Sequence, residues 1–234
     1  MYHFIPPKFV SKFQDYNYKK FEDIPEEVFD EIAASLKSVQ SKEPLVTVGL
    51  IAYNEQDYIL GTLASLSQAK CKFPFEIVVV NNNSTDDTQR FLDRLELNSV
   101  QETQQGYPFA RQAGLQNAKG EIFVSGDTDT FYTPKWIEAL SKPLLSSDKI
   151  ACTYSLHAFY TDAKKYPISL QFYQYAKLIG IYSKDFSRPQ LNCGGASMAF
   201  RKSDAMKFGG YNTKIVRGSD GYMALQLSEY GKIK

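Results

Sequence analysis

No apolar run in this 234-residue chain approaches the roughly 18 residues that cross a bilayer as a helix. The first residues, MYHFIPPKFV, also lack the cationic and apolar regions of a secretory signal. A cytoplasmic location without a transmembrane segment is therefore the default expectation. An excess of one charge is missing too: 27 Lys and Arg stand against 26 Asp and Glu. A net charge of +1 provides no basic field for nucleic acid and no acidic excess that would keep the chain unfolded. Cysteine is scarce, and Cys71, Cys152 and Cys193 are odd in number and far apart. That argues against a disulfide framework and a cysteine zinc site, and leaves core or near-core thiols. The two histidines, His3 and His157, are too isolated for a metal or catalytic pair and read as surface or core residues.

What remains is an ordinary globular composition, 43% hydrophobic and 23% charged, without repeats or low-complexity tracts. The length suits one sizeable domain with an extension. Residues 1–43 form that extension. Within it PEEVFDEIAASLKSVQ places Val28, Phe29, Ile32, Ala33 and Leu36 at helical spacing behind Pro25, so a helix is expected to pack on the main domain. From residue 44 to 234 strands and helices alternate. LVTVGLIAY reads as a strand, EQDYILGTLASLSQA as an amphipathic helix and FEIVVV as a second strand. TDDTQRFLDRL reads as a helix capped by Ser84 or Thr85, with Asp86 and Asp87 in its first turn. A short strand near Val100, a helix FARQAGLQNA and a strand EIFVSG follow. Continuous apolar strands alternating with helices predict an α/β fold, a mostly parallel central sheet flanked by helices on both faces.

The second half is less regular. It predicts a helix from Thr133 with Pro134 first, a strand KIACTYSLHAFY, an aromatic-rich helix over 168–181, a strand after CGG, and a closing helix stopped by Gly231.

Ligands of such sheets bind beyond the carboxyl ends of the strands. Three of those ends are polar: Tyr53-Asn54-Glu55, Asn81-Asn82-Asn83 and Asp127-Thr128-Asp129. The last lies within EIFVSGDTDTFYTP. Two neighbouring carboxylates at a strand tip repel each other unless a cation or ligand sits beside them. Oxygen ligands alone select a hard ion, magnesium or manganese, whose open positions suit phosphate oxygens. A solvated Asp-Thr turn is the alternative.

Four segments in order, VTVGLIAYNEQDYI, FEIVVVNNNSTDDT, GYPFARQAGLQNAKGEIFVSGDTDT and NCGGASMAFRKSDAMKFGGYNTKIVRGSDGYMALQL, resemble the family-two inverting glycosyltransferases of the GT-A fold. The resemblance runs from about Leu45 to the C-terminus. It implies a nucleotide-sugar donor, a UDP- or GDP-sugar, and a Mn or Mg cation. It also implies a glycan or lipid-linked acceptor, polysaccharide or glycolipid products, and peripheral contact with a membrane at most. Residues 44–130 would form the nucleotide half and 131–234 the acceptor half.

By the same resemblance Ile51, Tyr53 and Glu55 would lie at the nucleotide base. Asn82, next to Asn81 in the nucleotide-binding set, stands where a carboxylate often receives the uracil N3–H, and an amide oxygen can still accept that proton. Arg111 would approach the nucleotide, Asp127 the ribose and metal, and Asp129 the metal. Gly194 and Gly195 would let the backbone approach the donor sugar. The family's Glu-Asp pair reads Ser219-Asp220 here. Asp220 keeps the general-base position, while the missing Glu puts acceptor orientation in doubt; a helix cap is the plainer role for both residues. Relatives continue beyond GKIK, so a C-terminal acceptor or membrane-association segment is expected to be absent from these residues.

Two other function classes compete. A non-catalytic GT-A-like nucleotide or glycan-binding module draws support from the Asn81-Asn82 and Ser219 changes. A nucleotidyltransferase needs a glycine-rich phosphate loop, which AYNEQDYILG does not offer; the missing Gly-x-Gly-x-x-Gly also disfavours a Rossmann oxidoreductase.

Overall fold

A computed structural model describes residues 8–16, 18, 20–161 and 167–234, so His3 and part of the N-terminal extension lie outside the described residues. The apolar runs form the centre of one sheet. Strands β1 (Val46–Ala52), β2 (Phe75–Asn81) and β4 (Ile122–Asp127) are buried almost throughout. Burial on both faces is what a parallel strand between two helical layers requires. With β3 (Asn98–Gln101), β5 (Ile150–Tyr154), β6 (Ser197–Arg201) and β7 (Lys232–Ile233), the strand order is β3-β2-β1-β4-β6-β5-β7. Strand β6 runs antiparallel to β4 and β5, and the other pairs are parallel.

Alternate residues of β4 serve two cores, as the two-residue repeat of a strand dictates. Ile122 and Val124 join a cluster built with α1 (Lys8–Gln14), α2 (Glu26–Val39), α3 (Ile59–Leu66) and α6 (Trp136–Ser146). Phe123 faces the other layer with Phe200, α8 (Lys202–Met206) and α9 (Ser219–Leu227). Helix α2 starts behind Pro25 as its pattern predicts and buries Phe29, Ile32 and Leu36.

Several boundaries differ from the sequence reading. Helix α3 begins at Ile59, not near Glu55, and all eight of its residues are buried, so it is not amphipathic in place. Asn54 adopts φ 55°, and the amides of Asn54, Glu55 and Gln56 donate to Ser84 Oγ, Thr88 Oγ1 and Asp86 Oδ2. These bonds replace a first helical turn, and α1 and α2 cover the face that was expected to meet water. The same bonds use the residues expected to cap α4 (Thr88–Arg94), which starts after Asp87 without a side-chain cap.

Helix α6 begins at Trp136 rather than Thr133. Strand β5 stops at Tyr154, paired with Met198, and the Ser155 amide makes one further bond to Ser197 O at 3.2 Å. The aromatic helix α7 extends to Asp185 (Ile168–Asp185), and α9 ends at Leu227, before Gly231, leaving room for the unforeseen β7. Cys152 and Cys193 are buried, Cys71 partly so, and all three are free.

Candidate active site

Parallel pairing brings the three polar strand ends to one edge. In the ladder Ile51 stands between Val80 and Asp127, so the residues that follow β1, β2 and β4 emerge side by side. Between them opens a cleft of roughly 330 Å³ lined by Ile51, Tyr53, Glu55, Asn82, Asp127 and Asp129, among others. Its opposite wall is Gln105, Gly106 and Tyr107, at the start of α5 (Tyr107–Asn117).

Asp-Thr-Asp works by alternation. Thr128 points inward, donating to Ile51 O at 2.9 Å, while its carbonyl accepts from Thr62 Oγ1 at 2.7 Å. The flanking carboxylates are thereby turned toward the cleft. Tyr132, buried, fixes the strand end: its hydroxyl accepts from the Asp127 amide at 2.7 Å and lies 3.0 Å from the Asp127 carbonyl. Burial and the charge of Asp127 hold the Asp129 carboxyl above its ordinary value. Burial, then the charges of Asp129, Asp127, Asp86 and Asp57, push Glu55 up to about 7. Three carboxylates thus share a mouth, and crowding there disfavours ionisation of Glu55 and Asp129.

Arg111 is the cation behind them. Buried in α5, it donates from Nη1 to Gly126 O at 2.6 Å and from Nη2 to Asp127 Oδ1, and its Nε lies 3.8 Å from Asp220 Oδ1. Burial works against its charge, but Asp127 and Asp220 more than offset this and raise its pKa. Arg111 therefore sits behind Asp127 and does not line the cleft. Gly195 makes room for it, since a Cβ there would stand 2.2 Å from Arg111 Nη2. Neither Gly194 nor Gly195 lines the cleft.

Asp220 occupies the first turn of α9 behind Gly218, whose φ of 77° suits glycine. Neither Ser219 nor Asp220 caps this helix, because Gly218 holds the cap position. Burial raises the Asp220 carboxyl, Asp127 adds to the rise, and Arg111 and the Gly195 amide partly offset it. Its Oδ1 and Arg111 Nε are both buried and without a hydrogen-bond partner, which leaves polar capacity at this point.

Asn81 is turned away from the cleft: its amide donates to Gln89 and accepts from the Ser84 amide. Asn82 does line it, but its Nδ2 donates to the carbonyls of Glu102 and Gln104 and its Oδ1 accepts from the Gly106 amide. One lone pair of that oxygen is left for a ligand. Exposed His157 bonds Lys177 rather than any second histidine.

The sequence reading missed Gln105, Gly106, Tyr107 and Tyr132. A signal existed for the first three: Gly106-Tyr107-Pro108 opens a helix directly after a parallel strand, and that loop must reach the same edge.

Oxygen donors at this mouth fit a hard divalent ion, with Asp129 and Asp127 nearest the strand end and Glu55 adding negative charge. Among the described residues no group of three or more His, Cys, Asp or Glu side chains converges to hold a metal unaided. A bound ion would therefore need further oxygens, from water or from a ligand.

The hyaluronan synthase of Pasteurella multocida is 28% identical over 205 residues, covering 83% of this chain and 20% of the synthase. An Escherichia coli chondroitin synthase is 25% identical over 94% of this chain and 30% of its own length. The chain thus spans about a fifth to a third of these two relatives. Among solved structures, a mannosyltransferase from Pyrobaculum calidifontis in complex with GDP-Man and Mn2+ superposes with a TM-score of 0.62 at 19% identity, covering 89% of this chain and 65% of that one. Glucosyl-3-phosphoglycerate synthase from Mycobacterium tuberculosis, in complex with UDP, gives 0.58 at 19% identity, with 88% and 73% covered. The fold is GT-A. The pattern of Glycosyl transferase family 2 matches residues 47–208, and the chain belongs to that family.

Proposed function

We propose that this domain is a metal-dependent, inverting glycosyltransferase that moves a sugar from a nucleoside-diphosphate donor to a glycan or lipid-linked acceptor in polysaccharide or glycolipid synthesis. The observation that carries this reading is the line Asp129, Asp127, Arg111, Asp220, which joins a carboxylate cleft to a partly protected carboxylate through one guanidinium. Residues 44–130 hold the donor and 131–234 face the acceptor. Tyr53 and Tyr107, both exposed at the cleft, offer flat faces to a nucleobase.

Asp220 takes the proton of an acceptor hydroxyl as that oxygen forms its bond to the anomeric carbon. The bond from that carbon to the diphosphate oxygen breaks, its electron pair leaves with the diphosphate, and the configuration inverts. A raised carboxyl pKa makes Asp220 the stronger base. Arg111 pairs with Asp127 and stands between it and Asp220. A Mn2+ or Mg2+ ion held by Asp129 and Asp127 would neutralise charge on the departing diphosphate. The complex of the Pyrobaculum mannosyltransferase with GDP-Man and Mn2+ supports this choice of donor and ion.

Turnover of UDP- and GDP-sugars with Mn2+, with and without acceptor oligosaccharides, tests the reading. Metal-dependent turnover lost in Asp220→Asn, with nucleotide binding retained, is the expected result. Nucleotide binding by the wild type without any turnover would instead establish a non-catalytic binding module.

A further inference from the structure

Helix α7 has an apolar stripe on the wrong side for folding. Gln174 is its one buried residue, accepting the Phe159 amide, and the helix is tied down through Asn192 to Ile181 O and through Tyr154 to Asp185. Beside that packed side, about a third of a turn round the helix from Gln174, Ile168, Phe172, Tyr175, Ile179, Tyr182 and Phe186 recur at alternating spacings of four and three. Each is at least 51% exposed, and Phe186, just past the helix, is 94% exposed. That period is the seam of a helix pair, in which side chains every 3.5 residues insert between those of a facing helix.

We infer that this stripe pairs with its own copy in a second molecule, as an antiparallel helix pair about a two-fold axis. The sequence is self-complementary in that arrangement. Centred between Tyr175 and Ile179, the pairing sets Ile168 against Phe186, Phe172 against Tyr182 and Tyr175 against Ile179. Each contact repeats in reverse, as a two-fold interface demands. The layers match a large ring with an aliphatic group or a second ring. The flanking positions on one side are Ser169, Ala176 and Ser183, small enough for close approach, and on the other Gln171, Leu178 and Asp185. Asp185 accepts from the Tyr154 hydroxyl. No like charges therefore face each other across the axis. Side chains of this size and exposure offer on the order of 800 Å² per molecule, one partner's share of a standard interface.

A lipid surface fits less well. Interfacial helices line the face opposite their apolar one with Lys and Arg, whereas here that face carries Lys177 and Lys184 alone, beside exposed Tyr173. Lys177, outside the stripe, is engaged by His157 and the Phe159 ring.

Light scattering after gel filtration, on the full chain up to about 100 μM, should give twice the monomer mass. Phe172→Glu and Tyr182→Lys should each raise the dimer dissociation constant at least ~100-fold without lowering the melting temperature. The double variant should dimerise again, because residue 172 meets 182 of the other copy. An in-register parallel pair would set like charges together and stay apart. Should a charged variant fail to fold, Phe172→Cys combined with Tyr182→Cys provides the second measurement. That protein should oxidise to a cross-linked dimer, and either cysteine alone should not. Wild type that stays monomeric throughout, a dimer indifferent to these changes, or a double variant that remains monomeric overturns the inference. So does a monomer that co-sediments with phosphatidylcholine–phosphatidylglycerol vesicles and loses this with Phe172→Glu.

Discussion

The two halves of the sheet place their functional groups by different means. In the parallel half, β3-β2-β1-β4, polar residues sit at strand ends, and register alone brings Tyr53, Asn82 and Asp127 to a common edge. In the half made of β6, β5 and β7 the strands carry none of the proposed catalytic groups. Asp220 arrives on α9 and meets the rest through Arg111. The first kind of placement is robust to local change because the sheet ladder enforces it. The second depends on one buried side chain.

Four experiments break or sharpen this contrast, the largest effect first. Asp220→Asn removes the proposed proton acceptor and leaves the parallel half intact. Transfer should fall by about 10²- to 10⁴-fold in kcat. Nucleotide affinity, read by calorimetry, should hold. Next, Arg111→Ala withdraws the cation between Asp127 and Asp220. Two buried or half-buried carboxylates then lose their partner, and urea unfolding should show a loss of about 3–5 kcal/mol. Arg111→Lys should recover only part of it, since one ammonium cannot reproduce the fork of contacts to Gly126 and Asp127.

Asn82→Ala comes third. It leaves the amide of Gly106 and the carbonyls of Glu102 and Gln104 without their side-chain partner, at a cost of about 1–3 kcal/mol. Hydrogen exchange should quicken over residues 102–107 and not in β1.

The smallest effect is a matter of pH. Glu55, raised from 4.5 to about 7, costs the folded state progressively as pH climbs from 4.5 to 7, and fully above that. Glu55→Gln should therefore match wild type in melting temperature at pH 4 and exceed it at pH 8. Adding Mn2+ at pH 8 should narrow the gap, because a cation beside the cluster favours the ionised carboxylate.

Much of the parallel half was legible in the residues themselves. Unbroken apolar runs such as IVVV in β2 admit little besides a doubly covered strand, and the residues after them must lie at the strand ends. Asp127 and Asp129 were readable for the same reason. What escaped was nonlocal. The amides of residues 54–56 bond side chains some thirty positions away, so nothing near them announces that α3 starts late. Arg111 is an ordinary helical arginine until the fold closes around it. Asn82 looks like a free amide until residues 102–106 wrap onto it. The closing strand β7 has two residues, too few for any periodicity to declare.

The engagement of all but one lone pair of the Asn82 amide bears on how the proposed donor would be recognised across the cleft. A side chain already engaged by its own backbone discriminates poorly between ligands. Under the proposed function, choice between bases on that wall would fall instead to Gln105 and Tyr107, which line the cleft outside any strand. A lineage could exchange those two positions, and with them its sugar nucleotide, while every strand beneath stayed as it was.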